Sequence, residues 1–174
     1  MPESLQRDAI HPINSHPETS LLSAVTGDPA QQLAEACAAA LYQGDSLSRE
    51  LGMTLDQIGP GMAELSMVVQ PWMLNGHGTC HGGLIFTLAD SAFAFACNSQ
   101  NHKAVAAGCT IDYLNPAHGG DRLTARASQS HQRGRSGIYD VEVSNQQGVA
   151  IALFRGRAHR LPGAVIPGTE PPAR

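Results

Sequence analysis

Asp90 is the only Asp, Glu, Lys or Arg between Glu64 and Lys103, and it stands inside the apolar run LIFTLADSAFAFAC. An ionised carboxylate among apolar neighbours is costly unless something uses it. Upstream lie Asn75, His81 and the pair Gly82-Gly83. The glycines open a helix, whose free backbone N–H groups and dipole favour an oxygen that is gaining negative charge. An oxyanion donor, a carboxylate base or nucleophile and an amide to orient water or substrate are the parts of acyl transfer. An exposed or loop-bonded Asp is the ordinary alternative, and the company of these three residues favours chemistry.

Spacing constrains how such a site is assembled. Gly82 and Asp90 are eight residues apart, about 12 Å along a straight helix. Both cannot lie about 3 Å from one reacting carbonyl. If they act together, they come from different subunits across paired helices. His77, Cys80 and His81 raise the question of a metal, but adjacent residues seldom converge on one ion and no second Cys or His pair stands at zinc-finger spacing. No metal site is expected.

The elements that must carry these groups are legible from periodicity. The long helix is expected at about 82 to 99, with Leu84, Ile85, Leu88, Ala89, Ala92 and Ala96 forming a stripe toward a sheet. Phe86, Asp90, Phe93, Ala94 and Cys97 fall on another side, which is apolar apart from Asp90 and calls for cover from a second copy of the chain. A shorter helix, PAQQLAEACAAALYQG, places Leu33, Cys37, Ala40 and Leu41 on one face and stops at Gly44. A hairpin surrounds Gly59-Pro60-Gly61, with Ala63, Leu65, Met67 and Val69 alternating. Four more extended segments follow: AVAAGCTIDYLNP, DRLTARASQSH, SGIYDVEVSN and VAIALFRGRAHRL. Short strands with tight connections imply an antiparallel sheet and an α+β fold. Residues 1–28 read as a loose leader and 163–174 as a loose tail, leaving one domain over 29–162.

Composition narrows the function. A chain of 174 residues with eleven Lys and Arg and a net charge of -4 offers no broad cationic surface, so nucleic-acid binding is not expected. The segment MPESLQRDAI lacks the apolar core of a signal peptide, and no apolar run approaches the ~18 residues of a membrane span. A cytoplasmic protein with no membrane association, and with reduced structural thiols at Cys37, Cys80, Cys97 and Cys109, is the expectation.

The run MLNGHGTCHGGLIFTLADSAFAFACNSQ, followed by TIDYLNPA, YDVEVSNQQG and ALFRGRAHR, resembles the PaaI-type thioesterases of phenylacetic acid degradation, within the hotdog-fold acyl-CoA thioesterases. The likeness spans roughly residues 35 to 162, in order and at matching spacing. It implies a hotdog fold, an antiparallel sheet wrapped around one long central helix, in a homodimer that pairs into a homotetramer. It also implies hydrolysis of acyl-CoA thioesters, with phenylacetyl-CoA and its ring-hydroxylated relatives favoured. On this chain the resemblance makes Asp90 the catalytic carboxylate, Asn75 the amide that orients water or substrate, and Gly82 the N–H donor to the thioester oxygen. His81 then shapes or hydrogen-bonds the site, and Ser91 stands where close relatives have Thr, a change that retains the hydroxyl as a substrate-binding group.

An acyl pocket lined by Trp72, Met73, Leu74, Phe93 and Tyr113 would suit an aromatic acyl group, although pattern alone does not separate lining from core. His77 braces the loop or is merely exposed. Coenzyme A phosphates call for Arg or Lys, for which Arg133, Arg135, Arg155 and Arg157 are candidates beside their plain reading as surface charge. No phosphate-binding glycine loop is present, so coenzyme A is expected as part of the substrate and no cofactor is needed. The competing functions are a hotdog thioesterase for medium-chain or hydroxybenzoyl groups, a hotdog dehydratase, and a non-catalytic acyl-CoA-binding module.

Overall fold

The computed structural model describes residues 28–171. The expected leader therefore lies outside the described residues, apart from Asp28. Helix α1 (Pro29–Gly44) starts where Asp28 accepts the Ala30 N–H at 3.0 Å and Pro29 occupies the first turn, the position at which proline loses no helical hydrogen bond. A five-residue helix, α2 (Ser46–Glu50), follows. It is an element that the apolar pattern does not announce.

Strands β1 (Thr54–Gly59) and β2 (Met62–Val68) form the expected hairpin, turned by Pro60 and by Gly61 at φ +75°, a conformation glycine adopts freely. Ala63, Leu65, Met67 and Val69 all point into the core. A short 3-10 turn (Pro71–Met73) leads through the NGHGTC loop into α3 (Gly82–Asn98). Strands β3 (Ala104–Tyr113), β4 (Arg122–Arg133), β5 (Ser136–Ser144) and β6 (Ala150–Arg160) complete an antiparallel sheet of order β1-β2-β4-β5-β6-β3. Helix α3 packs across this sheet, touching every strand. This is the hotdog arrangement.

The sheet wraps α3 further than the helix period implies. Phe93 and Cys97, expected to need a second chain for cover, are buried within this one, while Ala94 is exposed and Phe86 and Asp90 are half-covered. The uncovered part is instead β3, an edge strand in this sheet, with Val105, Tyr113 and Leu114 exposed on it and just beyond it. An edge strand of ten residues with apolar side chains is a ready template for another strand.

Two smaller expectations also change. The buried face of α1 is Ala34, Cys37 and Ala38, a small-residue face that allows close approach, rather than one centred on Leu33 and Ala40. The segment from residue 163 is not loose throughout. Asn101, at φ 60° and buried, accepts the N–H groups of Val165 and Ile166 and donates to Thr169.

Candidate active site

His81 is the N-cap of α3, and its Nδ1 accepts the Gly83 N–H at 3.1 Å. A neutral ring bonded this way carries its proton on Nε2. The His81 carbonyl takes the Leu84 and Ile85 N–H groups. Gly82 N–H is left without a partner among the described residues. It is the orphan donor of the helix start, at the positive end of the dipole.

The loop before it is organised by Asn75. Its Oδ1 accepts the His77 N–H at 2.8 Å and the Thr79 N–H at 3.3 Å, and its Nδ2 donates to Thr79 Oγ1. His77 is exposed and touches the site only through this turn. Asn75, Thr79, Gly82, Ile85, Tyr113 and Asn115 line a cleft of about 330 Å³. The amide and the orphan N–H therefore share one cleft, and Asp90 is absent from its walls.

Asp90 lies two turns further along α3, half-buried, with Cys109 Sγ 3.9 Å from its Oδ1. Burial raises its pKa above the usual carboxylate range, and the Cys109 contact opposes part of that rise. A raised carboxylate in an apolar setting suits general-base chemistry. Ser91, the next residue, turns elsewhere. Its Oγ is 3.4 Å from Ser48 Oγ of α2, and Ser48 in turn bonds both carboxylate oxygens of Asp45. The hydroxyl expected on substrate is thus engaged within the chain.

Strand β3 runs beside α3, and two of its side chains bond the helix near the site: Tyr113 Oη donates to Gly82 O, and Cys109 Sγ to Asp90. Eight helical residues span about 12 Å and four strand residues about 13 Å, so the two measures of the separation agree. Both contacts are made by β3, the edge strand of the sheet. Within one chain Gly82 and Asp90 cannot attack and polarise the same carbonyl.

The remaining candidates divide. Phe93, expected in the acyl pocket, is 1% exposed and stacks edge-on to Tyr139 and against Phe154, which makes it core. Met73 is likewise buried, Trp72 is 64% exposed, and Leu74 is half-buried. Arg133 and Arg135 are exposed at the β4–β5 turn, where Arg135 O accepts the Arg160 N–H. That turn lies toward the C-terminal end of α3, since Arg160 also bonds Gln100. Arg155 pairs with Asp140 at 2.6 Å, and Arg157 lies over Gly108. Among the described residues no group of three His, Cys, Asp or Glu is arranged to hold a metal, and no helix is long and apolar enough to cross a membrane.

Residues 77–152 match the thioesterase superfamily model. The acyl-coenzyme A thioesterase PaaI of Escherichia coli is 49% identical over 126 residues, covering 72% of this chain and 90% of PaaI. The chain belongs to the thioesterase superfamily. Within it, the solved structure of E. coli PaaI, from the phenylacetic acid degradation operon, aligns at TM-score 0.77 and 47% identity over 78% of this chain and 98% of that one. A mutant form of the phenylacetic acid degradation protein PaaI from Thermus thermophilus aligns at TM-score 0.65 and 40% identity, over 67% and 100%. A Streptococcus mutans protein bound to acetyl-CoA aligns at 0.62 and 27%, over 64% and 90%.

This chain is thus a PaaI-like acyl-CoA thioesterase with the hotdog fold. Two parts of the thioesterase's candidate site escaped the sequence reading. Cys109 carries a usable signal, because β3 alternation puts it on the same face as Ile111 and Tyr113. The Asp45–Ser48–Ser91 chain has none, since α2 is shorter than two turns.

Proposed function

We propose that this thioesterase hydrolyses phenylacetyl-CoA and its ring-hydroxylated relatives to the free acid and coenzyme A, at sites shared between two subunits. The observation that carries this reading is the pairing of an unpartnered Gly82 N–H in an open cleft with a half-buried Asp90 about 12 Å further along α3, both in contact with β3. A two-fold axis beside Phe86 and Ile111, midway between the two contacts, would bring Gly82 of one subunit to Asp90 of the other. Antiparallel pairing of β3 with its copy would supply such an axis and cover the exposed edge. Pairs of dimers then form the tetramer.

In the shared site Gly82 N–H and the helix dipole polarise the thioester carbonyl. Asp90 takes a proton from water as the water oxygen attacks the carbonyl carbon, and the tetrahedral intermediate expels coenzyme A thiolate, which is then protonated. Direct attack by Asp90, giving a mixed anhydride that water opens, is the other route open to the same carboxylate. Asn75 orients water or substrate, and His81 fixes the helix start. Coenzyme A arrives and leaves as part of the substrate. With the helices antiparallel, Arg133 and Arg135 of the Asp90 subunit fall on the outward side of the site, where the phosphates need cations.

The acyl preference rests on likeness to relatives tied to phenylacetic acid degradation. Thiol release from phenylacetyl-CoA, octanoyl-CoA and hydroxybenzoyl-CoA tests it. The highest kcat/KM is expected on phenylacetyl-CoA. A higher value on either competitor reassigns the substrate, and no release from any of the three returns the chain to an acyl-CoA-binding role.

A further inference from the structure

Tyr113 ends β3 and leaves 51% of its surface exposed, yet its phenol is committed. Oη donates to Gly82 O at 2.9 Å. The ring lies so close that a Cβ on Gly82 would stand 3.1 Å from Cζ and 3.2 Å from Oη. Gly82 is not among the residues with positive φ, so its backbone does not require glycine. A side chain there would fit only if the ring gave way by a few tenths of an ångström.

Gly82 O is also the acceptor expected of the first helical turn, toward the Phe86 N–H. The phenol therefore ties the end of an edge strand to the one residue of α3 whose own N–H opens on the cleft. Burial raises the Tyr113 pKa, so the phenol keeps its proton through the neutral range.

We infer that Tyr113 is a positioning residue: its hydroxyl and ring hold the first turn of α3 in the orientation in which Gly82 N–H faces the thioester oxygen. This rests on the thioesterase role given to Gly82. It differs from an acyl-pocket lining, because a lining needs the ring and not the hydroxyl.

The test uses the full-length protein and two readouts. Amide hydrogen exchange without substrate is expected to quicken at Phe86, whose N–H is held by the Gly82 carbonyl, in Tyr113→Phe. With phenylacetyl-CoA, Tyr113→Phe is expected to lower kcat about fivefold, the worth of one neutral hydrogen bond, with little change in KM. The cost of Gly82→Ala in kcat is expected to shrink in a Tyr113→Ala background, where the added methyl no longer meets the ring. Unchanged exchange in Tyr113→Phe, a loss confined to KM, or an equal cost of Gly82→Ala in both backgrounds overturns the assignment. Loss of thiol release in the wild-type protein would instead overturn the reading of Gly82, and the exchange result would then decide the clamp alone.

Discussion

Cys109 Sγ lies 3.9 Å from Asp90 Oδ1 and donates to it, joining the edge strand to the single charged residue of α3. The contact pulls the Asp90 pKa down while burial, the larger effect, pushes it up. Only ionised Asp90 can act as base, so activity is expected to fall on the acid side at a pH above that of a free carboxylate. Cys109→Ala, which removes the donor, should move that acid limb to higher pH. Cys109→Ser, with a stronger donor, should move it lower. The pH dependence of kcat/KM for the three proteins checks this, and identical acid limbs would show that the thiol does not tune Asp90.

The same raised pKa has a consequence for stability. A carboxyl whose folded pKa exceeds its unfolded value leaves the native state holding more protons than the unfolded state between the two. Stability therefore falls as pH rises from about 3.9, the ordinary Asp value, through the raised folded value. Above that window Asp90 is a net burden. Asp90→Asn is expected to melt higher than wild type at pH 7, with the difference narrowing as the pH is lowered through the window, while thiol release is abolished. Thermal unfolding at several pH values reads the sign directly.

Phe93 behaves as core in this structure, so its truncation should be felt as lost stability. It is packed between Tyr139 and Phe154, and Phe93→Ala is expected to cost about 3 to 5 kcal/mol, the range for removing a buried aromatic ring. Gly156 faces the same ring: a Cβ there would lie 2.7 Å from Phe93 Cδ2. Gly156→Ala should therefore also destabilise, through overpacking rather than a cavity. Urea unfolding of both variants tests the pair. A Phe93→Ala protein of wild-type stability but altered acyl preference would restore Phe93 to the pocket.

Which of these features the sequence discloses depends on how local the signal is. The longer strands and α3 repeat their apolar pattern over several residues, and Ala63, Leu65 and Met67 of β2, with Val69 just beyond it, are buried as that pattern requires, Ser66 being buried besides. Asp90, Asn75 and Gly82 stand out because charge, amide and glycine are rare or purposeful in such a run. Phe93 could not be placed, since a ring in a pocket and a ring in a core obey one period. α2 is shorter than any detectable period. The hold of Asn101 on residues 165–170 is a single left-handed residue whose partners lie more than sixty positions away, beyond anything composition records. The Cys109 contact likewise needs the packing of β3 on α3.

Asn75 has two duties that substitution can separate. Its Oδ1 holds the turn by accepting from His77 and Thr79, and its Nδ2 is the group available to substrate or water once Thr79 yields it. Asn75→Asp keeps the acceptor and removes the donor. It should fold with the loop intact and a melting temperature near wild type, yet turn over more slowly. Asn75→Ala should lose both the loop bonds and the activity, at a stability cost of about 1 kcal/mol. If Asn75→Asp hydrolyses substrate as fast as wild type, the residue serves the loop alone.

The shared site makes the sharpest demand. Gly82→Pro removes the orphan N–H at a position where proline is compatible with a helix start, although its ring must displace Tyr113 by a few tenths of an ångström. Asp90→Asn removes the base. Each variant alone is expected to be inactive, because every interface lacks one part. Mixed and reassembled, about half of the dimers are heterodimers, and in each of these one of the two sites pairs intact Gly82 with intact Asp90. About a quarter of wild-type activity should therefore return. Thiol release from the mixture, measured beside each parent and with subunit exchange confirmed by mass, distinguishes the alternatives. Recovery places the two groups on opposite chains. An inactive mixture of folded, exchanging variants would require Gly82 and Asp90 to serve the same thioester within one chain, which their separation of about 12 Å along α3 opposes.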